Sequence, residues 1–169
     1  MTPTVVVLIG PAGAGKSTVG RSLGDALGWR FVDADAFHSP ENRERLARGE
    51  ALSDADRAPW IGVLRREIEA AVAREEPMVL ACSALRRAYR EALLPEAVRE
   101  HVCIVYLRVS AAELAERLRT RVGHFAPADL LESQLETLEE PEPDEGVITL
   151  DGERPVRELV HQIRRSCGV

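Results

Sequence analysis

Residues 10–18 read GPAGAGKST, and this stretch decides the fold. It matches the pattern G-x-x-x-x-G-K-[ST], in which glycines allow the backbone to curl until several N–H groups point at phosphate oxygens. In such a loop the lysine, here Lys16, reaches the β- and γ-phosphates of a nucleotide, and the hydroxyl of Ser17 binds Mg²⁺. Lys16 is also the only lysine in the chain. The stretch therefore predicts a phosphate-binding loop whose nucleotide contacts come from Gly10, Ala12, Gly13, Ala14, Gly15, Lys16, Ser17 and Thr18.

The segments on either side of the loop indicate a strand before it and a helix after it. Residues 5–9, VVVLI, form a β-branched apolar run that suits a buried parallel strand. Val19, Leu23 and Leu27 recur at helical spacing after the loop. Strands that alternate with helices predict an α/β fold with a five-stranded parallel sheet flanked by helices. The four other predicted strands cover 29–33, 78–82, 102–107 and 147–150.

Length and charge limit the possible partners. The 169 residues suit a single domain, 1–169, and the net charge of −6 with a pI near 5.3 argues against a nucleic-acid or anionic-membrane surface. No apolar run approaches the roughly 18 residues of a membrane span, so neither insertion nor export is expected. Cys82, Cys103 and Cys167 are odd in number and lack C-x-x-C spacing. They are therefore predicted to be buried, reduced thiols in a cytoplasmic protein.

Two aspartates at the end of the second predicted strand form the pattern D-x-D. Because side chains alternate along a strand, Asp33 and Asp35 point to the same side at the carboxyl end of the sheet, where parallel sheets bind ligands. The third strand ends in Cys-Ser, so the carboxylate that usually holds Mg²⁺ from a neighbouring strand is missing there. Asp33 is the best substitute and, with Ser17, forms the predicted metal site. The alternative is that both aspartates only cap the next turn.

A polar, irregular segment covers 36–60 and is long for a connection between a strand and a helix. Insertions of this size in compact domains more often bind substrate than simply join elements, which makes His38 and Arg57 candidate contacts. Asp54 and Asp56 lie in the same segment and precede a helical pattern. The alternative to a substrate contact is therefore that they cap the helix N-terminus.

Two pairs of arginines lie one helical turn apart. Arg86 and Arg90 follow the third strand, where they would grip an anion between them, and surface charge is the alternative for both. Arg117 and Arg121 lie near the end of the helix after the fourth strand. A basic helix end followed by glycine and proline suits a mobile lid, at about 121–130, that closes over the phosphates and excludes water. The alternative for this pair is a solvated arginine face.

Together these motifs resemble the small P-loop gluconokinases, which are related to shikimate and adenylate kinases. Two positions depart from the family pattern: Ala34 replaces a glycine, and Arg86 replaces the lysine of many members, which keeps the charge but changes its reach. The likeness covers nearly the whole chain and rests on GPAGAGKS (10–17), DADAFHSPEN (33–42), GEALSDADRAPW (49–60), CSALRRAYR (82–90), RVGHF (121–125) and LLESQLETLEEP (130–141).

The resemblance implies a P-loop NTPase fold of the nucleoside monophosphate kinase type, with a mobile lid, and the ATP-dependent phosphorylation of D-gluconate to 6-phospho-D-gluconate. Asp35 then accepts or orients the proton of the attacking hydroxyl, while Lys16 and Arg121 neutralise charge on the transferred phosphoryl group. ATP and Mg²⁺ are the implied cofactors, Arg117 is a nucleotide contact, and a homodimer is the implied assembly. The implied gluconate contacts are Asp35, His38, Arg57, Ser83, Arg86, Arg90, His124 and Gln134.

Two alternatives stay open. A kinase of the same group that acts on shikimate or a nucleoside monophosphate would keep the loop and the lid but change the segment 37–60. A nucleotide-binding switch would bind ATP without using a small acceptor. A Ras-type GTPase is disfavoured, because its N-K-x-D guanine motif needs a second lysine and the chain has none.

Overall fold

The computed structural model describes residues 2–121 and 128–169. Its centre is a five-stranded sheet of β1 (Val5–Ile9), β2 (Arg30–Asp33), β3 (Met78–Ala81), β4 (Val102–Arg108) and β5 (Ile148–Asp151). The strand order is β2-β3-β1-β4-β5, and every neighbouring pair is parallel. The predicted fold class is therefore confirmed, with strand boundaries within a residue or so of the expected ones.

Helices cover both faces of this sheet. Short 3₁₀ turns at Ala34–Phe37, Glu96–His101 and Pro143–Glu145 complete the regular structure. In the described part of the chain, none of the helices has the length and apolar character needed to cross a membrane. The α-helices are α1 (Lys16–Leu27), α2 (Pro40–Ala47), α3 (Asp54–Ala73), α4 (Arg87–Leu93), α5 (Ala111–Thr120), α6 (Ala128–Thr137) and α7 (Val156–Cys167).

The central strand β1 has all five side chains buried. Val5, Val7 and Ile9 pack into an apolar cluster with side chains of α3 and α4, whereas Val6 and Leu8 pack into a second cluster with α1, α5 and α7. Alternate side chains of a strand point to opposite faces, so β1 is held from both sides. Burial of each such side chain contributes about 1.5–3 kcal/mol of hydrophobic stabilisation. The loop that follows β1 therefore leaves from a fixed point.

The strand order brings three chain segments together at the carboxyl edge of the sheet. There β1 leads into the loop 10–18, β2 ends at Asp33, and β3 leads to Ser83. The backbone N–H of Gly10 donates to the carbonyl oxygen of Ser83 at 3.3 Å, which ties the loop to the turn after β3. Ligands of open parallel sheets bind at this edge.

The segment 36–60 contains α2 and the start of α3. The hydroxyl of Ser53 accepts the N–H of Asp56, and the Asp56 carboxylate accepts the N–H of Ser53 at 2.9 Å. This reciprocal pair is a capping box at the start of α3. The capping role is therefore confirmed for Asp56, while the Asp54 carboxylate accepts a hydrogen bond from the Tyr89 hydroxyl instead.

The cysteines differ from the prediction of three reduced thiols. Cys103 of β4 and Cys167 of α7 form a disulfide, and both pack against the apolar cluster that α7 shares with the sheet. The two residues are 64 positions apart, so their spacing in the sequence did not reveal that the end of α7 reaches β4. Cys82 is a free, buried thiol as predicted, and burial raises its pKa to about 12.

The acidic segment 139–145, which follows α6, is held against α4 by a buried arginine. Arg90 is only 4% exposed, and its guanidinium donates to both carboxylate oxygens of Glu145, at 2.6 and 2.9 Å. The expectation that Arg90 binds substrate is therefore wrong, because Glu145 already neutralises its charge inside the fold. The same guanidinium donates to three backbone carbonyl oxygens at 3.0–3.2 Å, those of Ala84, Leu85 and Glu139.

Arg90→Met should lower the free energy of unfolding by about 3–5 kcal/mol, because it leaves the Glu145 carboxylate buried without its partner. Arg87→Met is the matched control. Arg87 pairs with Asp144 through side chains that are 42% and 64% exposed, and such pairs contribute about 0–1 kcal/mol. Urea denaturation of both variants at neutral pH measures the difference. Equal losses in the two variants would contradict the structural role of Arg90.

Lowering the pH should reduce the difference in the free energy of unfolding between the wild type and Arg90→Met. The hydrogen bonds from Arg90 lower the pKa of Glu145 in the folded protein. The ion pair therefore contributes fully above the unfolded-state pKa, about 4.3, and this contribution is lost as the pH falls through the folded-state pKa. Urea titrations repeated from neutral pH down to about pH 3 follow this loss. A gap that stayed constant over the whole range would contradict it.

Candidate active site

A cavity of about 460 Å³ opens at the carboxyl edge of the sheet, beside the phosphate loop 10–18. Its volume is typical of small-molecule sites. Gly10, Ala14, Arg86 and Arg90 do not line it in the described part of the chain, and His124 lies outside the described residues. The predicted site residues that do line it are Ala12, Gly13, Gly15, Lys16, Ser17, Thr18, Asp33, Asp35, His38, Arg57, Ser83, Arg117, Arg121 and Gln134.

Three glycines give the phosphate loop its shape. Gly10, Gly13 and Gly15 have φ angles of 147°, 85° and 92°, a region that residues with a Cβ disfavour. Gly15 is the N-cap of α1, and the first turn of α1 lines the cavity. The unpaired N–H groups and the positive end of the helix dipole therefore lie beside this part of the cavity. An anion such as a phosphate group fits there.

Lys16 folds back onto its own loop. Its Nζ donates to the carbonyl oxygens of Gly10, at 2.8 Å, and Pro11, at 2.9 Å. Burial lowers the pKa of Lys16, while the negative charges of Asp35 and Asp33 act in the opposite direction. The ammonium is thus poorly solvated and held by neutral carbonyl groups. An incoming phosphate would give it a stronger, charge-assisted partner.

Ser17 and Asp33, the two predicted metal ligands, lie next to each other. The Ser17 hydroxyl donates to Oδ2 of Asp33 at 3.0 Å, and Oδ1 of Asp33 accepts the N–H of Asp35 at 3.0 Å. Because the Ser17 hydroxyl gives its proton to Asp33, its lone pairs are free to face a cation in the cavity. Among the described residues there is no cluster of three or more carboxylate, histidine or cysteine ligands. Mg²⁺ ordinarily needs only one or two carboxylates beside substrate phosphates, so this pair fits it.

Asp35 and His38 lie in the turn after β2, and Trp60 of α3 supports that turn. The Trp60 indole N–H donates to the carbonyl oxygen of Ala34 at 2.7 Å. Its ring stacks on the His38 imidazole, with centroids 4.3 Å apart and planes 13° apart. His38 is 6% exposed, and burial lowers its pKa. His38 is therefore a neutral polar group at neutral pH, suited to hydrogen bonding with a hydroxyl rather than to holding an anion.

Arg57 brings positive charge to the cavity wall. Its Nε donates to the carbonyl oxygen of Leu52 at 3.3 Å, and its guanidinium carbon lies 5.6 Å from the ring centroid of Tyr89. No carboxylate pairs with Arg57 within the described ranges 2–121 and 128–169. Arg86 differs, because its Nη1 lies 3.4 Å from Oδ2 of Asp54 and its side chain does not line the cavity. Of these two predicted anion contacts, only Arg57 faces the cavity in this structure.

Arg117 joins the phosphate loop to the far edge of the sheet. Its Nη1 donates to the carbonyl oxygen of Gly13 at 3.2 Å, and its Nη2 donates to that of Gly152, after β5, at 3.1 Å. Its Nε pairs with Glu113 at 2.8 Å.

Arg121 follows α5 and lines the cavity, and its charge contributes to the lowered pKa of Lys16. Most of the predicted lid, 122–127, lies outside the described residues.

Local sequence patterns assign no specific site role to three contributors. Trp60 braces the turn that carries Asp35, Tyr89 lies against the guanidinium of Arg57, and Asp54 holds both Tyr89 and Arg86. The only available signal was that the segment 49–60 contains an aromatic residue that no cap explains. Their partners lie 26 to 35 positions away, beyond the reach of any local pattern.

Comparison with known proteins agrees with this geometry. A family model described as an AAA domain matches residues 5–141. A gluconokinase from Gluconobacter oxydans (strain 621H) is 44% identical over 154 residues, which cover 91% of this chain and 85% of that protein. The crystal structure of a gluconokinase from Sinorhizobium meliloti 1021 is 38% identical, with a TM-score of 0.87 over 99% of this chain and 93% of that one.

A more distant likeness concerns the fold alone. A shikimate kinase from Acinetobacter baumannii, solved with shikimate, covers 98% of this chain and 93% of its own, with a TM-score of 0.63 at 21% identity. The P-loop NTPase fold is therefore shared more widely than the sequence. At the identity and coverage found for the gluconokinases, the chain belongs to the gluconokinase family.

Proposed function

We propose that this protein transfers the γ-phosphoryl group of ATP to D-gluconate and releases ADP and 6-phospho-D-gluconate. The observation that carries the proposal is a cavity lined both by the phosphate loop and by Arg57, an arginine with no carboxylate partner among the described residues. Gluconate needs both, because it has a carboxylate at one end and a hydroxyl that receives the phosphoryl group at the other. Shikimate and nucleoside monophosphates are not favoured as acceptors, since the likeness to shikimate kinases is at the level of the fold.

Three positively charged groups would contact the phosphates of ATP at the donor end of the cavity. They are Lys16, the N-terminus of α1 and Arg121. The transfer has a loose, in-line transition state with charge spread over the phosphoryl oxygens, so fixed positive charge supplies most of the catalysis. Lys16 would direct its remaining N–H donor to the β- and γ-phosphate oxygens while the Gly10 and Pro11 carbonyl groups hold its ammonium in place. Arg121 would neutralise charge on the transferred group, and Arg117 would contact the nucleotide.

At the acceptor end, Asp35 is the candidate proton acceptor. The gluconate oxygen forms a bond to the γ-phosphorus while the bond from that phosphorus to the bridging oxygen of ADP breaks. The hydroxyl proton passes to the Asp35 carboxylate and then to water. Two facts support this role: Asp35 lines the same cavity as Lys16, and its charge acts on the Lys16 pKa.

The remaining cavity wall would recognise gluconate. Arg57 is the candidate partner of the carboxylate, because a guanidinium matches the two oxygens of a carboxylate. His38, which burial keeps neutral, and Ser83 are candidate partners of the hydroxyl groups. Arg86 would help only if it left Asp54, and His124 would join from the lid segment 121–130.

Ser17 and Asp33 would hold Mg²⁺, Ser17 through its hydroxyl and Asp33 as the carboxylate that fixes this hydroxyl. When bound, the ion would neutralise negative charge on the phosphates during the transfer. The proposal also includes a homodimer and a cytoplasmic location, where ATP is supplied. It includes no nucleic-acid or membrane partner, in keeping with the net charge of −6.

A coupled assay of ADP release tests the function. Gluconate should stimulate ADP release strongly, whereas glucose, shikimate and AMP should do so weakly. Glucose has no carboxylate and would leave Arg57 unpaired, which costs about 1–3 kcal/mol, or roughly 5- to 150-fold in kcat/KM. A nucleotide-binding switch would release no acceptor-dependent ADP. Preference for any of the other acceptors would overturn the proposal.

Arg57→Ala should raise the KM for gluconate by roughly 10- to 100-fold and leave the KM for ATP within about threefold, because only the carboxylate loses its partner. Arg86→Ala is the comparison variant. Its effect on gluconate should be smaller, since Arg86 pairs with Asp54 outside the cavity. Initial-rate kinetics of both variants decide the question, and a larger effect from Arg86→Ala would assign the carboxylate to Arg86.

Asp35→Asn should lower kcat by roughly 10²- to 10⁴-fold with little change in ATP affinity, because asparagine keeps the size of the side chain but accepts no proton. Asp33→Asn should instead raise the Mg²⁺ concentration needed for half-maximal rate. Asp25→Asn, on the exposed surface of α1, is the control for loss of one carboxylate. Equal losses of kcat and ATP affinity in Asp35→Asn would point to a metal-binding role for Asp35.

A further inference from the structure

We propose that Gln134 is a positioning residue for the phosphate loop rather than a contact for gluconate. Its side-chain oxygen Oε1 accepts the backbone N–H of Ala12 at 2.6 Å, across 122 positions of sequence. This bond fixes the peptide group between Pro11 and Ala12, and so turns the Pro11 carbonyl oxygen toward Lys16. The proposal rests on the nucleotide role of the loop and not on the identity of the acceptor.

The geometry of one peptide group carries the argument. A trans peptide is planar, and its C=O and N–H point in opposite directions. No cis peptide is present in the described chain. The Pro11 carbonyl oxygen accepts Lys16 Nζ at 2.9 Å and the N–H of Ala14 at 3.2 Å, so this edge of the plane faces into the loop. The N–H of Ala12 consequently points out of the loop, to Gln134.

Gln134 and Lys16 therefore hold the same peptide plane from opposite edges. Rotation of the plane would lengthen both hydrogen bonds at once. Without an acceptor at position 134, the half-buried N–H of Ala12 would lose its partner, and only the bonds from Lys16 and Ala14 to the Pro11 carbonyl would hold the plane. The Pro11 carbonyl would then hold Lys16 less firmly in place for the phosphates.

Gln134 can act as a brace because the end of its helix is itself anchored. The carbonyl oxygen of Gln134 accepts the N–H of Leu138 at 2.9 Å. The next residue, Glu139, donates its N–H to the Leu85 carbonyl oxygen at 2.8 Å, and its carboxylate accepts the N–H of Arg87 at 2.8 Å. The buried pair of Arg90 and Glu145 holds the segment that follows. Gln134 thus links the phosphate loop to the turn after β3, on the acceptor side of the cavity.

The test compares ADP binding with gluconate kinetics in Gln134→Met, which keeps an unbranched side chain but lacks the acceptor oxygen. Isothermal titration calorimetry should give ADP a Kd that is roughly 5- to 20-fold weaker than in the wild type. The KM for gluconate at saturating ATP should stay within about twofold. Gln134→Asn, which withdraws the oxygen by one methylene, should act in the same direction and provides a second variant should Gln134→Met fold poorly.

Two controls separate positioning from general damage. Glu136→Met makes the same replacement at an exposed position of α6 and should leave the Kd for ADP unchanged. In a Lys16→Ala background, Gln134→Met should weaken ADP binding by less than about twofold further, because the brace acts through Lys16.

Three results would overturn the proposal. An unchanged Kd for ADP with a raised KM for gluconate would make Gln134 an acceptor contact. An unchanged Kd for ADP with a lowered thermal midpoint would make its role purely structural. Full additivity with Lys16→Ala would show that it does not act through the lysine. The Kd for ADP is measured without gluconate, so the test of the brace does not depend on whether gluconate is the natural acceptor.

Discussion

The ammonium group of Lys16 lies between two carbonyl oxygens of its own loop, and much of the structure serves to keep it there. Burial lowers its pKa, and the charges of Asp35 and Asp33 oppose that effect. Turning the carbonyl groups of Gly10 and Pro11 toward a side chain requires a tightly curled backbone, which the positive φ angles of the loop glycines supply. The buried strand β1 fixes where that loop begins.

The fold around this loop also determines which charged residues line the cavity. In the strand order only β3 separates β2 from β1, so Asp33 at the end of β2 accepts the Ser17 hydroxyl and the charge of Asp35 acts on Lys16. Trp60 then fixes the turn that carries Asp35, and the start of α3 brings Arg57 to the same cavity. The cavity lining thus combines the positive charges of Lys16 and Arg57 with the carboxylates of Asp33 and Asp35. This arrangement suits an acceptor that is anionic at the end away from the reaction.

Local sequence patterns predicted the loop, the order of strands and helices, the D-x-D turn and the capping box, because each depends on residues a few positions apart. They failed where a side chain finds its partner far along the chain. Arg90 was predicted to bind an anion, but it forms an ion pair with Glu145, 55 positions away. The disulfide partners Cys103 and Cys167 are 64 positions apart. Nothing in the spacing of Gln134 indicates a bond to Ala12. Tertiary packing decides these cases, and short-range periodicity carries no information about it.

The central claim is that one cavity holds a phosphoryl donor at the loop and the carboxylate of an acceptor at Arg57. The most direct measurement is a crystal structure of the protein with ADP, Mg²⁺ and gluconate. The account predicts a gluconate carboxylate within about 3 Å of the Arg57 guanidinium and the C6 hydroxyl within hydrogen-bond reach of Asp35. A gluconate bound in the reverse direction, with its carboxylate toward Lys16 or its chain outside the cavity, would contradict the account.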